Sequence, residues 1–121
     1  MCLTSDKYEC LTPNSYFLKK RMTDLGITQN YKGYYYLLEI LNIIINEERV
    51  VRCFSKEIYP ILAKKYAIKG STIERDIRNI IKVNWDFKLK FKLKEFWSGD
   101  VRPTCCKFIF IVKNFVLSDL A

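Results

Sequence analysis

The chain has 121 residues, of which 50% are hydrophobic and 28% are charged, and its formal net charge is +8 at pH 7. This length and apolar content allow one domain with a single core, and the positive charge favours an anionic partner such as nucleic acid. The chain has no histidine, and its five cysteines lack the paired spacing of a zinc site, so we expect no metal, no cofactor and no enzymatic activity.

The cysteines also bear on the compartment. Their odd number and uneven spacing favour a reduced, cytoplasmic protein over a disulfide-bonded secreted one. Asp6 and Glu9 interrupt the N-terminal segment, where a signal peptide needs an unbroken apolar run. The most apolar segment, 34–46, contains a glutamate and is too short to cross a bilayer. We therefore expect a buried helix there and no membrane partner.

The first half of the chain predicts a leader and two helices. We assign 1–12 to a flexible leader and 13–121 to one domain, because no repeat or linker divides the remainder. Helix-start residues favour a first helix of Ser15 to Leu25, which the following glycine ends. Lys32-Gly33 opens a second helix through Ile45 that is apolar nearly all round, as a central helix is.

The next two segments predict a third and a fourth helix. The stretch "SKEIYPILAKKYAI" has Ser55 as a predicted N-cap and Pro60 near the helix start, where few donors are paired. Ser71 and Glu74 then fit a capping box, in which each side chain accepts a hydrogen bond from the other's backbone amide. The apolar stripe of the fourth helix, 71–85, has helical spacing: Ile73, Ile77, Ile80, Ile81 and Trp85.

These two helices are joined by a short turn, Ala67 to Gly70, and the arrangement predicts a helix-turn-helix. Ala63 is the small residue that allows a close crossing, whereas Asp76, at a usually apolar position, would cost desolvation if it were buried. Ala67 stands where the turn usually has glycine. The alternative is two ordinary core helices. The residues spaced to hold the crossing are Leu62, Tyr66, Ile68, Ile73 and Ile77.

The segment after Trp85 fits two structures. Strict alternation from Phe87 to Lys94 is typical of a half-exposed strand, with which 107–112 would pair, and a helix-turn-helix followed by two strands is a winged helix. However, Leu89, Leu93, Phe96 and Trp97 also follow helical spacing. The segment "PTCCKFIFIVKNFVL" begins like a helix and is long for a strand of a wing.

Four segments carry a family resemblance: "KGYYYLLEILNIII", "IYPILAKKY", "STIERDIRNIIKVNW" and "RPTCCKFIFIVKNF". In their order and nearly in their spacing, these segments resemble the C-terminal effector domain of the sporulation response regulator family, stage 0 sporulation protein A. The resemblance runs from about Ser15 to Phe115. It is more specific than a lone helix-turn-helix, because several short motifs recur together.

The resemblance implies an all-α bundle of about six helices that contains a helix-turn-helix. On this ground we favour the all-α fold over a winged helix with a C-terminal β-hairpin. It also implies a bacterial, nucleoid-associated regulator that binds double-stranded DNA, with two copies in tandem on boxes of the TGTCGAA type. Family members contact the sigma subunit of RNA polymerase. They also carry a receiver domain, for which we see no counterpart in this sequence, so we expect a stand-alone effector relative.

The resemblance assigns the sequence-specific contacts to the fourth helix, as the recognition helix in the major groove. The base-contacting glutamate and arginine of the family fall on Glu74 and Arg75, a pair that suits cytosine and guanine. Arg78 matches the next arginine of the family, for a phosphate or a guanine edge. Asn79 replaces a common histidine, which keeps hydrogen bonding but alters the preferred base.

Contacts to phosphate are expected around the start of that helix. Ser71 and Thr72 lie where free amides and the helix dipole favour an anion. The lysines would add attraction that does not depend on sequence. Lys82 also belongs to the candidate set, although it differs from the usual residue of the family. The candidate lysines are Lys64, Lys65, Lys69 and Lys82.

Other interpretations remain open. Glu74 could serve only in the capping box, and the two arginines could be solvated partners of Glu74 and Asp76. The alternative function is an interaction protein that keeps the fold without binding DNA and binds a regulator or RNA polymerase. Anionic membrane association through the Lys/Phe/Leu segment is a weaker alternative. Cys105 and Cys106 stand at a predicted helix start, which could lower a thiol pKa, whereas plain packing is the simpler role.

Overall fold

A computed structural model of the chain describes residues 15–46, 54–97 and 101–118. In these three segments there are five helices of eight residues or more and no strand, so the all-α prediction is confirmed. A single turn, a π-helix and a further turn of helix complete the described elements. In chain order they are α1 (Ser15–Asp24), α2 (Tyr34–Asn46), α3 (Phe54–Glu57), α4 (Tyr59–Tyr66), α5 (Gly70–Asn84), the π-helix (Trp85–Leu89), α6 (Lys90–Lys92) and α7 (Cys105–Ser118).

The first two helices follow the sequence closely. α1 ends within a residue of the predicted boundary, and Gly26 adopts a φ of 85°, a left-handed conformation that glycine accepts without strain. α2 is buried over most of its circumference, including Leu37, Leu38 and Leu41 at 0% exposure. The predicted leader, 1–12, lies outside the described residues.

The start of the third predicted helix differs from the expectation. Ser55 was predicted to be an N-cap, but it lies inside α3, after Phe54, so its backbone is helical and a cap must be outside the helix. Phe54, the first residue of this turn, is buried at 2% exposure and packs against the ring of Phe110. Pro60 is near the N-terminus of α4, as predicted.

The capping box predicted for α5 is wrong. The N-cap is Lys69, with an extended backbone (φ −86°, ψ 150°) and no side-chain capping hydrogen bond. The carbonyl of Lys69 already accepts hydrogen bonds from the amides of Thr72 and Ile73, at 3.0 and 3.4 Å. Ser71 is therefore the second residue of the helix, and a helical residue cannot adopt the extended backbone that a serine cap requires.

The segment after α5 is helical, and the winged-helix alternative is wrong. The backbone continues from α5 through the π-helix into α6. Leu89 and Leu93 are buried at 0% exposure, whereas Phe87 and Phe91 are 81% and 67% exposed. Two apolar rows on opposite faces of a helix therefore produce the alternation that resembled a strand. The second predicted strand, 107–112, lies within α7.

α5 is the central helix of the arrangement, because it packs against α2, α4 and α7, while α1 packs on α2. Trp85, at 0% exposure, extends the buried stripe of α5 into the π-helix. The apolar stripes of the helices meet in one core, and the opposite face of α5 is left outside it. Within the described residues, no helix has both the length and the apolar character needed to cross a membrane.

Candidate nucleic-acid interface

α4 and α5 form the predicted helix-turn-helix. Ala67 closes α4 in a left-handed conformation (φ 57°, ψ 46°), and its amide donates to the carbonyl of Ala63. The Cβ atom of alanine makes this conformation mildly unfavourable, and glycine, which has no Cβ, is therefore usual there. Leu62, Ile73 and Ile77 are buried at 0% exposure and hold the crossing of the two helices.

The outer face of α5 is exposed over its length. The residues of this helix that are spaced between the buried isoleucines point away from the core, and α7 packs along one side without covering them. This exposure is the geometry that a recognition helix requires. The exposed residues of the predicted set are Ser71, Arg75, Arg78, Asn79 and Lys82, and Thr72 and Glu74 are partly exposed.

Arg75 is the most accessible arginine of this face, with 67% of its side chain exposed. Its Nε and Nη2 atoms each lie 3.5 Å from Oδ1 of Asp76, the long limit for a hydrogen bond. Asp76 is only 8% exposed. The Asp76 carboxylate therefore holds the side of the guanidinium that carries Nε and Nη2 only weakly, and the outer edge of the guanidinium stays exposed.

Glu74 and Arg78 form an ion pair one helical turn apart. Nη2 of Arg78 lies 3.3 Å from Oε2 of Glu74, and their side chains are 62% and 42% exposed. Solvent screens such a pair, so its free energy is small, and either partner can exchange it for a stronger bond to a base or a phosphate. The pairing and a DNA role are compatible.

A cleft lies on each side of the outer face of α5. The first, which we call the α7 cleft, has a volume of about 380 Å³ and is lined by Glu74, Arg78, Ile81, Lys82, Arg102, Pro103, Thr104 and Cys105. The second, which we call the loop cleft, has a volume of about 570 Å³ and is lined by Asn30, Tyr31, Lys32, Arg75, Asp76 and Asn79. The predicted recognition residues thus divide between two clefts with separate outer walls.

The loop that carries Lys32 is fixed to α5. The hydroxyl of Tyr31 donates to Oδ1 of the buried Asn84 at 3.1 Å, and Nδ2 of Asn84 donates to the carbonyl of Ile80 at 3.0 Å. A Cβ atom at Gly33 would lie 2.9 Å from the carbonyl oxygen of Asp76. Glycine is therefore needed where α2 begins, because the two backbones approach too closely for any side chain.

Asn30, Lys32 and Arg102 line the clefts but are not among the sequence-predicted DNA contacts, although Lys32 and Arg102 belong to segments that carry the family resemblance. Each is separated from α5 by 18 or more residues, and tertiary packing alone brings it to the recognition face. The sequence offers a weak signal at two of them, a charged residue followed by glycine at Lys32 and by proline at Arg102.

The candidate lysines differ in their surroundings. Nζ of Lys65 lies 2.7 Å from Oε1 of Glu39, a carboxylate that is 8% exposed and also accepts from the hydroxyl of Tyr66. Lys65 therefore neutralises a nearly buried acid and ties α4 to α2. Lys64 and Lys69 are exposed, and they lie before and after the turn of the helix-turn-helix.

Cys105 is a packing residue and is not activated. Burial raises the pKa of its thiol to about 11, although Arg78 acts in the opposite direction, and Sγ donates to the carbonyl of Glu74 at 3.5 Å. The pKa of Cys105 is thus raised and not lowered, because desolvation outweighs the effect of Arg78. Among the described residues, no group of three or more potential ligands could hold a metal ion.

Residues 18–115 of the chain match the family model described as sporulation initiation factor Spo0A C terminal. No solved structure matches the chain. The match covers every helix described above except the first residues of α1 and the last residues of α7.

Proposed function

Because the chain belongs to the Spo0A C-terminal family, whose members are DNA-binding and non-enzymatic regulators of transcription, we propose that residues 13–121 bind double-stranded DNA sequence-specifically at the bacterial nucleoid. In this proposal α5 enters the major groove. The supporting observation is the open outer face of α5, on which Arg75 is 67% exposed.

Each exposed residue of α5 then has a chemical role. Arg75 donates two parallel hydrogen bonds to N7 and O6 of a guanine, and Glu74 accepts from the amino group of a cytosine. Arg78 and Asn79 contact the next base edges or a phosphate. Phosphates are contacted by Lys82, by the exposed lysines of the turn, Lys64 and Lys69, and by the hydroxyls near the helix start, Ser71 and Thr72. These contacts fix the position of the protein on the duplex. Lys65 contributes less, because its charge is paired with Glu39.

Fluorescence anisotropy with a TGTCGAA-type duplex and a scrambled duplex tests the proposal. We expect Arg75→Ala to weaken binding to the box by about 1–3 kcal/mol, and to weaken binding to the scrambled duplex far less. Lys64→Ala is the matched control, because loss of a phosphate contact weakens both duplexes alike. Equal binding of both duplexes by the unaltered protein would remove the claim of sequence specificity.

A protein partner is the second candidate, and an exposed apolar row that runs from the end of α5 through the π-helix into α6 favours it. Val83, Phe87 and Phe91, which we call the apolar stripe, are 53%, 81% and 67% exposed, and lysines flank them. Apolar side chains with a basic rim suit an acidic, amphipathic protein surface. The sigma subunit of RNA polymerase is the partner that the resemblance implies.

Capture of purified sigma subunit on immobilised protein tests this second candidate. We expect the double variant Phe87→Ser, Phe91→Ser to lose capture while retaining the difference in affinity between the box and the scrambled duplex. Capture that persists in the double variant would contradict the role of the apolar stripe. Sedimentation of the protein with acidic liposomes but no capture of sigma would instead favour a membrane surface.

A further inference from the structure

The outer face of α5 lies between two clefts, and this arrangement matches the surroundings of a helix in the major groove. A helix with its side chains is about 10–12 Å across, and the groove is about 12 Å wide, so the two sugar-phosphate backbones pass close to both sides of the helix. The α7 cleft is on the side of Glu74 and Arg78, and the loop cleft is on the side of Arg75 and Asn79.

Both clefts have an excess of positive charge. The α7 cleft is lined by three cations and one carboxylate, and the loop cleft by two cations and one carboxylate. Each carboxylate is already paired with an arginine of α5, Glu74 with Arg78 and Asp76 with Arg75. The cation on each outer wall, Arg102 in the α7 cleft and Lys32 in the loop cleft, is exposed and shows no ion pair in the described part of the chain.

We propose that Lys32 and Arg102 bind backbone phosphates on opposite strands of the DNA, one on each side of the recognition helix. This inference rests on the proposed function, and it adds two contact residues that lie outside the helix-turn-helix. The ligand at each position is a phosphodiester of duplex DNA.

The backbone is restrained at both residues. Lys32 follows Tyr31, whose hydroxyl bonds to Asn84, and precedes Gly33, which packs directly on the backbone of α5. Arg102 precedes the buried Pro103, and a residue before proline is restricted to extended conformations. A restrained backbone reduces the backbone entropy that is lost when each side chain binds a phosphate.

The salt dependence of binding measures these contacts. Each phosphate contact contributes about 0.9 to the slope of log affinity against log salt concentration. We expect Lys32→Ala and Arg102→Ala each to reduce the slope by about 0.9, and the double variant by about 1.8, on box and scrambled duplexes alike. The ratio of the two affinities should not change, because neither residue contacts a base.

Lys113→Ala is the matched control. It removes the same charge from α7, eight residues and therefore about 12 Å along the helix from Cys105, away from the α7 cleft. We expect its slope to equal that of the unaltered protein. Thermal unfolding of all variants checks that the substitutions leave the fold intact.

Phosphate-ethylation interference assigns the strands. The unaltered protein should show interference on both strands, and each single variant should lose one position, on a different strand from the other variant. Unchanged slopes, or two losses on the same strand, would overturn this inference while specific binding by the unaltered protein leaves the proposed function standing. If the unaltered protein binds neither duplex, the proposed function and this inference both fail.

Discussion

Asp76 affects the stability of the fold and the proposed DNA binding in opposite directions. Its carboxylate is 8% exposed, and burial of a charge costs free energy unless strong bonds compensate it. The compensation here is weak, because Arg75 approaches only to 3.5 Å and is itself 67% exposed. The same contact restricts the guanidinium that is proposed to bind guanine. We infer that this acid is unfavourable for folding and favourable for orientation of Arg75.

Asp76→Ala should therefore separate stability from specificity. We expect the free energy of unfolding to stay the same or rise by up to about 1 kcal/mol, because the exposed Arg75 is solvated after the change. The ratio of box to scrambled affinity should fall several-fold. Urea unfolding and anisotropy measure the two quantities. Asp86→Ala, at an exposed acid just after α5, is the control, and a large loss of stability in Asp76→Ala would contradict this account.

Cys105 should make stability depend on alkaline pH. Its pKa is raised from about 9 to about 11, chiefly by burial, with Glu74, Cys106 and Arg78 as the charged or titrating neighbours. The native thiol keeps its proton over a range in which the unfolded thiol loses it, so the free energy of unfolding falls as pH rises from about 9 to about 11.

Urea unfolding at several pH values between 8 and 10.5 tests this dependence. Cys105→Ala should lose stability less steeply with pH than the unaltered protein, whereas Cys106→Ala, at the exposed neighbour, should keep the original slope. The cavity that alanine leaves lowers the free energy of unfolding by the same amount at every pH, so it does not change the slope. Identical slopes in all three proteins would show that the thiol is not protected by burial.

At the scale of elements, the sequence predicts a helix well where the apolar residues lie on one face and the polar residues on the other. α5 is such a helix, and the burial of Ile73, Ile77 and Ile80 follows its stripe. The pattern failed to distinguish helix from strand at 87–94, because both faces of that segment carry apolar residues. Its period of two arises from buried leucines and exposed phenylalanines that occupy opposite sides of one helix.

The candidate site was predictable to the extent that it lies on one helix. The arginines of α5 follow from the helix-turn-helix pattern and the family resemblance, whereas Lys32 and Arg102 reach the same face only through packing. The predicted cap failed for a different reason. Ser71 has cap chemistry, but the helix begins from the extended backbone of Lys69, so the serine lies two residues after the cap position.

Two glycines at helix starts provide a matched test of the packing between elements. At Gly33, an added Cβ would lie 2.9 Å from the carbonyl oxygen of Asp76, whereas at Gly70 its nearest neighbour would be Cβ of Tyr59 at an ordinary 3.5 Å. Gly33→Ala should therefore force α2 away from α5 and cost about 1–3 kcal/mol. Gly70→Ala should be neutral or stabilising by up to about 1 kcal/mol, because alanine loses less entropy on folding.

Chemical unfolding measures both changes, and DNA binding adds a second measurement. A shift of α2 also moves the loop that carries Lys32, so Gly33→Ala should reduce the salt slope as Lys32→Ala does, while Gly70→Ala should not. Equal stability of the two alanine variants would contradict the close approach of α2 and α5.

At the scale of the whole molecule, the apolar stripe limits how copies of the protein associate. The side chains of Val83, Phe87 and Phe91 are 53%, 81% and 67% exposed, and an aromatic side chain covers about 150–250 Å² when it is fully buried, so the stripe offers roughly 400 Å². A standard stable interface covers about 800 Å² on each partner. The stripe is therefore too small to hold two copies together unless a partner or DNA adds further contacts.

Tandem binding should consequently depend on the DNA. We expect the free protein to sediment as a monomer of 14.4 kDa, and to fill two adjacent boxes cooperatively, because the duplex raises the effective concentration of neighbouring copies. An insertion of about 5 bp between the boxes turns one copy to the opposite side of the duplex. It should abolish the cooperativity and leave the affinity for each box unchanged. Independent filling of adjacent boxes at the original spacing, or a stable dimer without DNA, would contradict this expectation.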